Sequence, residues 1–314
     1  MIDLKKISRG KESRPPRVLV YSFEGVGKTR FASGAPDPFF LDLDRGSHKY
    51  DVARTIPENW AETLEWLSAI EAGKVKCQTV VIDSITRLEN VSHEAFFPGT
   101  TVDGYDGGWG HGDTHVTMRW RELLGQLERI WMQNKAIVLV AHAVVKKFND
   151  PTGPAYERFE VGVRPKLAGL LRQWVDYVFF CREDVAMVVN KLERGKAVTT
   201  GTRWAYTRRT PAYDAKARGT LLFPEKFLLS WGEFANAVAS EKGRSEEMLV
   251  SINEMLEELA DPELSKTVKT WIKEHPEGLV DAHQSVLSRI EAKRAAAPQA
   301  VSTTVQAQGN GGAT

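Results

Sequence analysis

The sequence predicts an α/β fold in which a mainly parallel β-sheet carries helices on both faces and an antiparallel extension at one edge. Two features support this prediction. Up to Leu167, short segments rich in β-branched and aromatic residues alternate with amphipathic helical segments, as is typical of parallel strands connected by helices. After Leu167 the segments favour consecutive antiparallel strands, which commonly add to the edge of such a sheet.

Four apolar segments predict buried strands, because each is short and bounded by turn or charged residues: Val18–Tyr21, Pro38–Leu43, Thr79–Ile82 and Ala136–Ala141. Helical patterns lie between them, notably Asn59–Glu71 and Met118–Gln133. After Leu167 we expect a helix, then a strand starting near Asp176, then antiparallel strands around a turn at Glu193–Lys196.

A chain of 314 residues has room for one large α/β domain and a small appendage. We predict a flexible leader at 1–16, the α/β domain at 17–240, a helical C-terminal appendage at 241–294 and a disordered tail at 295–314. The appendage rests on two helical patterns, Ser245–Leu259 and His275–Ala292. The tail contains few large apolar residues to bury.

Composition excludes several classes of protein. The net charge is +1, so any binding of nucleic acid must depend on local basic patches. Cys77 and Cys181 are the two cysteines, which suits a reducing compartment and rules out a disulfide framework. There is no signal peptide and no apolar run of the ~20 residues that span a membrane. We expect a soluble, cytoplasmic protein with no membrane partner.

A glycine-rich segment between the first strand and a helical turn predicts a phosphate-binding loop. Against the pattern G-x-x-x-x-G-K-[ST] it reads Ser22, Phe23, Glu24, Gly25, Val26, Gly27, Lys28 and Thr29. Glycines let successive backbone N–H groups point at a phosphate. Lys28 would reach the β- and γ-phosphates of ATP, and the Thr29 hydroxyl would bind Mg²⁺. Ser22 replaces the first glycine, where a serine can still make the turn out of the strand.

Acidic side chains follow two predicted strands. Asp83 ends the segment Thr79–Ile82 and would hold the Mg²⁺ together with Thr29. Asp42 and Asp44, two residues apart, would share one face of a strand near its carboxyl end, where α/β sheets bind their ligands. One of the two could orient an attacking water as a general base. The alternative is a solvated turn before Arg45.

His142 ends the strand Ala136–Ala141 and would face the γ-phosphate. It also begins a long loop, residues 143–164, so it could couple the state of the phosphate to the conformation of that loop. A purely structural histidine is the alternative. A metal site at His111, Asp113 and His115 is disfavoured, because no cysteine or further histidine lies nearby in sequence. A flexible glycine-rich loop near a subunit or DNA surface is the preferred interpretation there.

The order of the segments VYSFEGVGKT, FFLDLDRG, VVIDS, VLVAH and RRTPAYDAKAR resembles the RecA-like P-loop ATPases of bacteriophages, which act in recombination or single-strand annealing. The resemblance covers roughly residues 17–235. It implies a RecA-like core in which Asp44 takes the place of the catalytic glutamate and His142 that of a γ-phosphate-sensing amide. Lys28, Asp44 and His142 would then be the catalytic residues, and 143–164 a DNA-binding loop.

This reading predicts a DNA-dependent ATPase that uses ATP and Mg²⁺ on single-stranded DNA, in the host cytoplasm if phage-encoded. Cations interleaved with aromatic rings suit single strands, and the DNA-binding candidates are Lys146, Lys147, Phe148 and Arg158. We expect a homo-oligomer, ring or filament, and contact with a single-strand binding protein.

A second basic cluster could touch DNA or supply an arginine finger to a neighbouring subunit: Arg203, Arg208, Arg209, Lys216 and Arg218. Two alternative functions stay open. One is a nucleotide-gated DNA-binding or scaffold protein with little hydrolysis. The other is a small-molecule phosphotransferase.

Overall fold

A computed structural model of the chain describes residues 14–189, 195–218, 222–275 and 278–296. The described residues up to 218, together with 223–239, form one compact unit, and those from 240 onward belong to a second. Three predicted segments lie wholly or partly outside the described residues: the leader before Arg14, the turn at Glu193–Lys196 up to Arg194, and the tail beyond Ala296.

The first unit is built on a mixed, mostly parallel sheet. Its strands are β1 (Arg17–Ser22), β2 (Pro38–Asp42), β3 (Ala53–Thr55), β4 (Thr79–Asp83), β5 (Ala136–Phe148), β6 (Tyr156–Val161), β7 (Tyr177–Val189), β8 (Gly195–Tyr206), β9 (Lys216–Ala217) and β10 (Lys226–Leu228). They lie in the order β10-β8-β7-β1-β5-β4-β2-β3, with β6 paired to β5 and β9 to β7. The six neighbouring strands β7, β1, β5, β4, β2 and β3 are parallel to one another. Strands β8, β9 and β10 pair antiparallel. The predicted parallel sheet with an antiparallel edge is confirmed.

Helices cover both faces of this sheet. Those that pack on it are α1 (Lys28–Ser33), α2 (Trp60–Glu71), α3 (Ile85–Phe96), α4 (His111–Met132), α5 (Pro165–Trp174) and the start of α6 (Trp231–Leu259). The helices α7 (Pro262–Glu274) and α8 (Leu279–Ala296) belong to the second unit. On β1, Leu19 and Tyr21 belong to the core under α2–α5, whereas Val18 and Val20 belong to the core under α1 and the start of α6. Alternate side chains of a strand point to opposite faces, so the two-sided apolar pattern of β1 reflects two cores.

Two segments near the carboxyl edge of the sheet differ from the sequence prediction. Strand β5 continues seven residues past Ala141 and pairs antiparallel with β6, so residues 143–161 form a β-hairpin and not the irregular loop we predicted. Helix α4 begins at His111, so the predicted flexible loop at His111–His115 is the first turn of a helix.

The second unit contains the C-terminal part of α6, α7 and α8, with an apolar core that includes Ile252, Leu256, Val286 and Ile290. Helix α7 was not predicted. Among the described residues, no helix combines the length and the apolar character needed to cross a bilayer.

Candidate nucleotide-binding site

Polar side chains meet at the carboxyl ends of β1, β2 and β4 and at His142, where the parallel part of β5 ends. The register pairs Ser22 of β1 with His142 of β5, and Asp42 of β2 with Asp83 of β4. Because these strands are parallel, their carboxyl ends lie along the same edge of the sheet, where α/β folds bind ligands. The structure therefore brings together the phosphate loop and the acidic residues.

The loop from Ser22 to Thr29 has the backbone conformation that a phosphate cradle requires. Gly25 has φ 78° and Gly27 has φ 109°, in the left-handed region that other residues rarely adopt. Ser22 is fully buried, and its hydroxyl donates to the Phe23 carbonyl at 2.8 Å. The serine at the first glycine position thus closes the turn out of β1 with its own hydrogen bond.

Lys28 lies folded under this loop. Its side chain is 7% exposed and its Nζ donates to the carbonyls of Ser22 at 3.0 Å and Phe23 at 2.9 Å. Burial lowers the pKa of Lys28, while the attraction of Asp83 acts in the opposite direction. A cation held beneath a loop of N–H groups fits a polyphosphate, because both kinds of group favour an anion.

Thr29 and Asp83, the two predicted Mg²⁺ ligands, are in direct contact. The Thr29 hydroxyl donates to Asp83 Oδ2 at 2.7 Å. Asp83 is 3% exposed. Its pKa is raised to about 6, mainly by burial and also by the nearby Asp44 and Asp42, against the opposing hydrogen bond from Thr29. A hydroxyl and a carboxylate are hard oxygen ligands of the kind Mg²⁺ prefers, so the pair fits that cation.

Asp42 and Asp44 do not share a strand face, and that prediction is wrong. Strand β2 ends at Asp42 and Asp44 lies in the following turn. The buried Asp42 carboxylate accepts bonds from the backbone N–H of Gly46 at 2.9 Å and of Ser47 at 3.0 Å. Asp42 therefore stabilises the turn, whereas Asp44 is left facing the site.

His142 lies between Asp44 and the phosphate loop. Its Nε2 is 3.0 Å from Asp44 Oδ2, and its Nδ1 is 3.3 Å from Glu24 Oε1. Burial alone would raise the pKa of Asp44, but the hydrogen bonds from His142 and Ser84 and the attraction of His142 and Lys28 together lower it. The predicted base and the predicted sensor are thus hydrogen-bonded to each other.

The predicted DNA-binding residues lie on the β5–β6 hairpin in different surroundings. Lys147 is exposed and faces Glu157 across the hairpin, and Lys146 faces Arg158. The Phe148 ring packs against Tyr156, with centroids 5.3 Å apart. Arg158 is 3% exposed and pairs with Asp214 at 2.9 Å. A surface role for Arg158 is therefore excluded in this conformation, because its charge is buried in an ion pair.

Sequence reasoning missed Trp109, whose side chain is 97% exposed. It lies between Gly108 and Gly110, all three with positive φ. The sequence signal for Trp109 was a large aromatic residue within a glycine-rich segment, where it has no place in the hydrophobic core. Nearby, Asp113 binds Arg164, and the His115 ring lies 5.4 Å from the Tyr105 ring.

The second basic cluster is dispersed by the fold. Lys216 donates to the carbonyls of Arg172 and Val175, and four arginines bind carboxylates: Arg203 binds Glu183, Arg208 binds Glu225, Arg209 binds Asp214 and Arg218 binds Asp176. Of these five cations, Arg203 lies against the phosphate loop.

A parallel sheet with this loop and a strand-ending aspartate bonded to the loop threonine defines a P-loop ATPase-like protein. A family model described as an AAA domain matches residues 14–219, more than half of the chain. The chain belongs to this AAA domain family, a family of P-loop ATPases, and nucleotide binding follows from that membership. No curated protein matches the chain.

Proposed function

We propose that the protein is a DNA-dependent ATPase that acts on single-stranded DNA in phage recombination or strand annealing. The course of strand β5 is the observation that supports this proposal most. It carries His142 at the phosphate edge of the sheet and continues without a break to Lys146, Lys147 and Phe148 in the hairpin. Strand β5 thus connects the nucleotide site directly with the proposed DNA surface.

Each part of the nucleotide site has a role in this proposal. The N–H groups of Gly25–Thr29 and the Lys28 ammonium hold the phosphates of ATP. Thr29 and Asp83 hold the Mg²⁺, which neutralises charge on the phosphates when bound. Asp44 orients the attacking water and accepts its proton. His142 holds Asp44 in place and reports the state of the site to β5.

The proposed DNA surface combines the hairpin with the loop that carries Trp109. Arg164, just after the hairpin, binds Asp113 and Asp103, and these bonds fix the Trp109 loop beside the hairpin base. The exposed Lys147, the half-buried Lys146 and the exposed Trp109 ring suit single-stranded DNA, because cations pair with phosphates and bases stack on aromatic rings.

Two contacts link the phosphate loop to the hairpin. The Phe23 ring packs edge-on against Phe159 of β6, with centroids 5.6 Å apart. Glu24, the next residue, faces His142 of β5. A phosphate-driven movement of the loop would therefore act on both strands of the hairpin.

Replacing Lys146 and Lys147 together with alanine should weaken binding of single-stranded DNA of any sequence. The slope of log affinity against log salt should become shallower by about 0.7 for each lost phosphate contact. Fluorescence titrations of labelled oligonucleotides at several salt concentrations measure both quantities. Lys74 and Lys76 provide the matched control, since both are exposed and precede β4 at the opposite edge of the sheet. If the control pair loses as much affinity as the hairpin pair, the hairpin is not the contact surface.

Trp109→Ala and Phe148→Ala separate stacking from charge. A ring that stacks on a base contributes roughly 1–3 kcal/mol without changing the salt slope. Because Phe148 already packs in the hairpin and Trp109 is exposed, we expect the larger loss of DNA affinity at Trp109. Equal, negligible losses at both positions would leave the surface without a stacking ring.

His142→Ala should uncouple the two ligands. ATP should tighten DNA binding by the wild-type protein, whereas the variant should bind ATP and DNA separately but show no mutual enhancement. DNA titrations with and without ATP and Mg²⁺ measure this coupling, with His275→Ala as a control that removes an exposed histidine of the second unit. Undiminished enhancement in His142→Ala would rule out His142 as the sensor.

One observation favours a nucleotide-gated DNA-binding protein with little hydrolysis. Asp44 is one methylene shorter than a glutamate and is already hydrogen-bonded to His142, which restricts its reach toward a water. ATPase assays with and without single-stranded DNA separate the possibilities. DNA-stimulated turnover supports the ATPase, and ATP-dependent DNA binding without turnover supports the gated protein. Failure to bind DNA favours the phosphotransferase or a scaffold.

Assembly into a ring or filament and contact with a single-strand binding protein belong to the same proposal. Arg209, whose side chain is 66% exposed beside Asp214, is a candidate for a finger acting on a neighbouring subunit. Sedimentation of the protein with ATP and single-stranded DNA tests the assembly.

A further inference from the structure

Arg203 of β8 lies directly against the phosphate loop of its own chain. A Cβ atom placed on Gly27 would be 3.3 Å from Arg203 Nη1 and 3.8 Å from its Cδ. The guanidinium therefore occupies the space beside Gly27. A phosphate that accepts hydrogen bonds from the N–H groups of the loop lies about 2.9 Å from their nitrogens, and Nη1 of Arg203 is a cation next to that loop at Gly27.

The antiparallel extension aims Arg203 at this position. Glu183 of β7 is its cross-strand neighbour and accepts a bond from Arg203 Nε at 3.0 Å. The pairing of β7 with β8 is irregular between Glu183 and Val185, and Gly201 there has φ 77°. Such bulges redirect side chains. The Arg203 carbonyl also accepts from the Leu229 N–H at 2.9 Å, which fixes the backbone.

The surroundings of Arg203 leave space for a ligand. Its side chain is 37% exposed and lies against Gly27 of the loop. Lys28, the other cation at the loop, is buried and bonded to carbonyl groups. Arg203 thus adds a second, partly exposed cation beside the loop.

We propose that Arg203 binds the phosphates of the nucleotide in cis. This proposal rests on the proposed nucleotide binding and adds a ligand from outside the loop motif. It also gives the antiparallel extension a role in recognising the nucleotide. The arginine acts on its own subunit, in contrast to a finger supplied by a neighbour.

Calorimetric titration with ADP and with ATP tests the proposal. Arg203→Ala should weaken both affinities about tenfold, the scale of one hydrogen bond to a charged group. Glu183→Gln should bind both nucleotides as tightly as the wild type or more tightly, because it keeps the cation and removes a negative charge near the phosphates. Arg129→Ala, which breaks an exposed arginine–carboxylate pair with Glu71 on another helix, should change neither affinity.

The outcomes are distinct. If the wild-type protein binds neither nucleotide, the proposed function itself fails. If it binds both and Arg203→Ala binds them equally well, the role of Arg203 is overturned. Equal weakening in Arg203→Ala and Glu183→Gln would show that the pair only supports the fold, and would also overturn it. Should Arg203→Ala lower the melting temperature, Arg203→Gln keeps the length and polarity without the charge and repeats the test.

Discussion

Lys28→Ala should lose at least ~100-fold in ATP affinity, the scale of two charge-assisted hydrogen bonds. The ammonium lies beneath the loop, 7% exposed, and no other cation of the loop segment Ser22–Thr29 can replace it. Its present acceptors are the carbonyls of Ser22 and Phe23, and these would exchange for phosphate oxygens when the nucleotide binds. Calorimetry with ATP and Mg²⁺ measures the loss.

Two companion measurements keep the interpretation of Lys28→Ala clear. The melting temperature without nucleotide shows whether freeing the two carbonyls loosens the loop. Thr29→Ala should lose the enhancement of ATP binding by Mg²⁺ and keep the binding without the metal, because it removes a metal ligand and no phosphate ligand. An ATP affinity unchanged in a folded Lys28→Ala protein would show that the loop holds no polyphosphate.

The sheet could be predicted from sequence because a local residue pattern marks each of its buried parallel strands. Each buried parallel strand is a short run of β-branched and aromatic residues, and each such run ends in the polar residue that faces the site, as Asp83 and His142 do. The sequence also carries local signals for α7, namely Asp261 at the N-cap followed by Pro262.

The hairpin could not be predicted in the same way. Beyond Ala141 the strand β5 reads HAVVKKF, which lacks the alternation of a half-buried strand, and Lys146 and Lys147 are typical of a loop. The segment is a strand because it pairs with β6, and no local preference shows that pairing. Arg158 was misjudged for the same reason, since its partner Asp214 lies far along the chain.

The different roles of Asp42 and Asp44 likewise depend on tertiary structure. By residue type and spacing the two are equivalent, and the structure separates them by ending β2 at Asp42 and binding that carboxylate to Gly46 and Ser47. Arg203 reaches the loop through the register of β7 with β8, which composition and spacing do not encode.

Asp44→Asn should bind ATP nearly as well as the wild type and hydrolyse it at least ~100-fold more slowly, the usual scale for a general base. The asparagine keeps the shape of the side chain and loses the charge that accepts a proton. Its contact with His142 can persist as a hydrogen bond, so the site should stay assembled. Single-turnover hydrolysis with saturating ATP, beside calorimetric affinity, separates chemistry from binding.

Asp42→Asn is the matched control, because it makes the same chemical change two residues away. Here the carboxylate accepts bonds from two backbone N–H groups and from the Ser47 hydroxyl at 2.6 Å. Losing the charge in this buried turn should lower the melting temperature, and hydrolysis should fall only as far as the folded fraction falls. The opposite pattern, with slow hydrolysis in a stable Asp42→Asn protein and normal hydrolysis in Asp44→Asn, would assign the base to Asp42. Since the two carboxylates differ in their contacts and not in their chemistry, this pair of variants tests whether the turn after β2 selects the catalytic acid.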